Sequence, residues 1–102
     1  MNKKTLNTTE DEFEIGRFGM EWWQFMTENY PDDAAELTTE RRDELALDVE
    51  REALELRELL RKQYAKANPR PTTFVEIAKW EHTSSFIIEH EIMEQVVLQF
   101  RA

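Results

Sequence analysis

The chain has no cysteine, and only two glycines and three prolines in its 102 residues. The missing cysteine excludes disulfides, thiol catalysis and cysteine-type zinc sites. It also fits a reducing compartment. So little glycine and proline leaves scant material for loops. No apolar run is long enough to cross a bilayer. Met1-Asn2-Lys3-Lys4 is basic, but no apolar segment follows it, so no signal peptide is expected. These features point to a soluble, cytoplasmic protein. Positive charge is also in short supply, with 13 basic residues against 22 acidic ones and a net charge of −9. Direct binding to DNA, RNA or an anionic membrane is therefore not expected, because each phosphate contact needs a lysine or arginine. The same charge suits a protein partner with a basic surface.

What is present argues for a folded helical chain. Hydrophobic residues make up 40% and aromatics 11%, too much for a disordered segment. The length suits one domain with a modest core. Residues 1–8 read as a frayed tail and 9–102 as a single helical domain. A first helix is expected to start near Thr8 or Thr9, since Thr9-x-x-Glu12 matches a capping box. At about 100° per residue, Ile15, Phe18, Gly19, Trp22, Trp23, Phe25, Met26 and Tyr30 share an arc of roughly 160°. The adjacent tryptophans then face different neighbours. Gly16 and Gly19 weaken the helix but allow close approach of another. Pro31 ends the segment.

A second helix is expected from about 34 or 39 to 67. Leu45, Val49, Ala53, Leu56, Leu59, Leu60, Tyr64 and Ala67 form its apolar stripe. Acids lie early in it and bases late, as the helix dipole favours. Asn68-Pro69-Arg70-Pro71 is a firm stop. A third helix opens with the capping box Thr73-x-x-Glu76 and runs to about residue 100. "HTSSF", His82 to Phe86, offers a break near 83–85, with Ser84 or Ser85 capping a second piece. The sum is an all-α, three-helix antiparallel bundle in which helix one lies in the groove of the other two. The wide face of helix one would equally serve a homodimer.

Candidate sites follow from the same faces. Glu40, Glu44, Asp48, Glu55 and Glu58 form an acidic band on helix two, reinforced by Asp43 and Glu50. Such a band imitates a row of phosphates and suits a basic groove. Leu47 and Leu54 lie one heptad apart within it and read as an apolar anchor with a charged rim, or as a short coiled-coil seam. Trp80 lies off the main stripe of the third helix and would dominate a binding surface if exposed. His82 and His90 sit in "EHTSSFIIEHE", where His90 and Glu94 have the i,i+4 spacing two metal ligands can use. No HExxH, catalytic triad order, P-loop or glycine fingerprint occurs. No cofactor is expected.

No motif carries a family resemblance. The expected function is a small acidic protein-binding module, not an enzyme. It would be an inhibitor or adaptor of phage or mobile-element type that occupies the basic surface of a nucleic-acid-handling protein. A structural homodimer or assembly subunit is the alternative, and a small metal-dependent enzyme built on the histidine segment is the second.

Overall fold

A computed structural model describes residues 14–102. The expected tail at 1–8 and the capping box at Thr9 and Glu12 lie outside the described residues. Helix is the only regular secondary structure among those residues, which include no strand. Four α-helices follow one another: α1 Arg17–Asn29, α2 Pro31–Glu36, α3 Thr39–Ala67 and α4 Phe74–Ile92. A π-helical turn, Met93–Val97, continues α4.

Several boundaries follow local chemistry. Tyr30 precedes a proline, so α1 stops at Asn29 and Pro31 opens α2 at its first position. The Thr38 side chain accepts from the Arg41 N–H at 3.0 Å and starts α3. Thr73 does the same for Glu76 at 3.4 Å and starts α4. Helix α4 is continuous through 83–85. Ser84 Oγ donates back to the Glu81 carbonyl at 3.2 Å instead of capping a new helix.

The first helix departs from the expectation at its start. Residues 14–16 are not helical, and Ile15 lies outside the helix and exposed. The reason is a contact 31 or more residues away. Glu50 Oε1 accepts the backbone N–H groups of Gly16 and Gly19, each at 2.9 Å. In a helix begun at Thr9, those N–H groups would instead bond the carbonyls four residues earlier. A carboxylate from α3 caps α1, where negative charge is favoured.

Helix α1 packs against α3 and the π turn, and it runs opposite to α3, since Gly16 meets Glu50 while Trp23 meets Arg42. Its ion pair with α4 joins Arg17 to Glu89. The core holds Phe18, Trp22 and Met26 of α1, Leu45, Val49 and Ala53 of α3, and Ile88, Ile92, Val96 and Val97. Trp22 is fully buried, and its indole N–H donates to the Gln99 carbonyl at 3.1 Å. Trp23 is half-buried beneath the Arg42 guanidinium. So the wide apolar face of α1 is filled largely from within the chain.

Helix α3 is about 43 Å long and α1 only about 20 Å. The shorter helix covers one half of the α3–α4 pair. None of the residues from 57 to 87 is buried. The molecule thus has a packed body and an arm, the arm being the last half of α3, the connection and the first half of α4. Its extents are 51 × 34 × 19 Å.

Candidate functional site

The acidic band lies on one side of α3. Glu40, Glu44, Glu55 and Glu58 are exposed, and Asp48 is half-buried. From Glu40 to Glu58 the band runs about 27 Å along the helix. Two of its acids have arginine partners. Glu44 pairs with Arg41 at 3.1 Å, and Asp48 with Arg51 at 2.6 Å. Arg51 was passed over in the sequence, although it lies three, four and seven residues from Asp48, Glu55 and Glu58. It places one cation in the middle of the band.

Two expected members of this surface are placed differently. Glu50 turns inward, 6% exposed, where it holds the start of α1. Leu54 is half-buried and packs against the core, while Leu47 is half-buried. The pair does not form one free apolar anchor. Leu54 reaches the core, which the heptad spacing alone could not show.

Trp80 is also engaged within the chain. It is half-buried, its ring is 5.5 Å from Tyr64, and its indole N–H donates to the Asn68 carbonyl at 2.7 Å. Arg70 lies over the same ring and pairs with Glu81 at 2.9 Å. Trp80 therefore clasps the α3–α4 connection. The large exposed side chains of the arm are others: Phe74 at 86%, Phe86 at 71%, and Val75, Ile87 and Leu59. Phe74, Val75 and Phe86 share the apolar spacing of the buried α4 residues Ile88 and Ile92, yet they are exposed. On α4, Ile88 and Ile92 are buried and Ile77 is half-buried, while Phe74, Val75, Ala78, Ser85 and Phe86 are exposed.

His82 and His90 are exposed, and His90 Nε2 lies 3.3 Å from Glu94. Among the described residues, no three His, Cys, Asp or Glu side chains gather around one point. No described helix is long and apolar enough to cross a membrane.

The chain end is tied to the acidic side of α3. Arg101 forms a two-pronged pair with Glu52 at 3.1 and 2.8 Å. That hydrogen bonding holds the Glu52 carboxyl below the usual range, helped by the nearby arginine charges and opposed by partial burial.

Charge divides along the same line as packing. Residues 57–87 carry six cations (Arg57, Arg61, Lys62, Lys66, Arg70 and Lys79) against three acids, a net +3. The other described residues carry five cations against sixteen acids, a net −11. The acid-to-base gradient read from α3 as a dipole effect is thus also a division between two regions of the molecule. The chain matches no protein-family model, no curated protein and no solved structure.

Proposed function

We propose that this chain is a small acidic protein-binding module that occupies the basic surface of a nucleic-acid-handling protein, as an inhibitor or adaptor of phage or mobile-element type. The observation that carries this reading is the concentration of negative charge on the body, a net −11 there against +3 on the arm. A uniformly acidic surface serves solubility, whereas a one-sided field orients a partner before contact. Glu40, Glu44, Asp48, Glu55 and Glu58 form the row that meets the partner's cations. Leu47 supplies a small apolar contact within it. The mechanism is steric and electrostatic, and needs no cofactor and no chemical step.

The test compares the wild-type chain with Glu44→Lys/Asp48→Lys/Glu55→Lys, each immobilised and exposed to a bacterial lysate. The wild type is expected to retain a basic nucleic-acid-binding protein at low salt. Rising salt and competing DNA both release it, because exposed charges are screened beyond about 8 Å at physiological ionic strength. The triple variant keeps its helical circular dichroism and retains nothing. Equal retention by the variant would reduce the band to solvated surface.

A further inference from the structure

Helix α1 fills only one end of the groove between α3 and α4. Its Gly19 meets α3 at the Ala46 carbonyl, its Gly16 meets Glu50, and Arg17 pairs with Glu89 of α4. Past that level the same line of α3 continues through Ala53, Arg57, Arg61 and Tyr64, at the three- and four-residue spacing of one helix face. The facing line of α4 runs from Glu89 back through Ser85 to Glu81. Between them lies an open depression of about 480 Å³, whose lining includes Arg61, Tyr64, Trp80, Glu81, Ser85 and Ile88. Its positive charge is unbalanced. Glu81 is already paired with Arg70, whereas no carboxylate among the described residues pairs with Arg57 or Arg61.

We propose that this groove is the docking site of the chain's own segment from Thr9 to Phe13, which leads into α1. Position, charge and reach select this occupant. The backbone of Gly16 is extended, so the chain does not carry the helix further back but enters α1 at the end of the groove. Because α1 runs opposite to α3, a path traced back from Gly16 in line with α1 follows α3 towards Arg61. The stretch Thr9-Glu10-Asp11-Glu12-Phe13-Glu14-Ile15 holds four carboxylates and no cation. Extended chain advances about 3.3 Å per residue and a helix about 1.5 Å. Phe13 then comes level with Arg57, at the near end of the depression, and Asp11 with Arg61. Ile88, next to the Glu89 that pairs with Arg17, offers the phenyl ring an apolar floor. The acids meet the two arginines in charge-assisted hydrogen bonds. A tethered segment also faces its site at an effective concentration of about millimolar, ahead of a free peptide of the same chemistry. The acidic band lies on another side of α3, so this inference stands independently of that reading.

The experiment is NMR on the isotope-labelled full chain. Nuclear Overhauser contacts are expected from the Phe13 ring to Ile88 and Ser85, unchanged by dilution. Phe13→Ser should shift the amides of Ala65, Ser84 and Ser85 and leave those of Leu45 and Val49 in place. Arg57→Glu/Arg61→Glu should weaken docking, read from the same amide shifts, at least about fivefold, since two exposed ion pairs are lost. Adding Glu10→Lys/Asp11→Lys/Glu12→Lys to that variant should restore docking, which separates a charge effect from damage to the fold. High salt should release the segment in the wild type. Absence of contacts between Phe13 and the groove overturns the proposal. So do contacts found only between labelled and unlabelled copies, which would put a second chain's segment there. Charge reversal without effect, or a folded combined variant that stays undocked, overturns it as well.

Discussion

The body and the arm are built from the same two long helices and the same kind of apolar repeat, yet only one of them has an interior. From Thr39 to Leu56, α3 has α1 and the π turn against it and buries Leu45, Ala46, Val49 and Ala53. From Arg57 to Ala67 the same helix meets α4 alone and buries nothing fully. What separates the halves is a third element. Two helices present one shared seam, and only a third layer turns that seam into a core. Phe18, Trp22 and Met26 supply the third layer in the body. The arm instead depends on a clasp at its turn, where Trp80, Tyr64, Asn68 and Arg70 interlock. Charge follows the division, with the uncovered half basic and the packed half acidic.

Four substitutions probe this difference, from the largest expected effect downwards. Trp22→Ala removes the largest fully buried side chain and leaves the Gln99 carbonyl unpaired. It should lower stability by about 3–5 kcal/mol in chemical denaturation. Glu50→Ala leaves the N–H groups of Gly16 and Gly19 without their acceptor and should cost about 2–3 kcal/mol. Its helix loss should begin in α1, which residue-specific NMR can follow. A variant that melts like the wild type would mean that α1 is not capped from α3.

Arg101→Ala tests the tie between the chain end and α3. The Glu52 carboxyl is held low in the folded state, so its contribution is present above the ordinary carboxylate value near 4.3. It is lost as pH falls through the depressed folded value. The loss of the ion pair should therefore cost about 1 kcal/mol at neutral pH, because Glu52 remains open to solvent although Arg101 is mostly covered, and that part of the cost should vanish in strong acid. The smallest effect is expected in the arm. Phe86→Ser, at a side chain 71% exposed, should change the stability of the single chain by less than about 0.5 kcal/mol. A loss as large as that of Trp22→Ala would mean that the arm has a core of its own.

The contrast also marks what the sequence could carry. Local signals were legible: Pro31 after Tyr30, the hydroxyls of Thr38 and Thr73, and the stop at Asn68-Pro69. Each acts within four residues. The expected third helix to about residue 100 matches α4 through Ile92, but nothing local marks the π turn that brings Val96 and Val97 together into the core. Glu50 was indistinguishable from its exposed neighbours, because what turns it inward is a pair of glycine amides 31 and 34 residues earlier. Whether Leu54 and Trp80 are exposed was open for the same reason: Leu54 packs on the core and Trp80 on Tyr64, contacts made across the fold. Phe74 lies five turns before the buried Ile92 on the same line of α4, yet it is exposed. Periodicity cannot tell the side facing a neighbour from the side that lacks one.

Native-state hydrogen exchange by NMR, run at high dilution on the full chain, addresses the division most directly. One helix provides both regions and its own reference. The amides of α3 near Val49 should exchange only through global unfolding, and those from Arg61 to Ala67, with the first turns of α4, through openings of much lower free energy. Equal protection along the whole of α3 would contradict the account, because it would make the arm as cooperatively packed as the body.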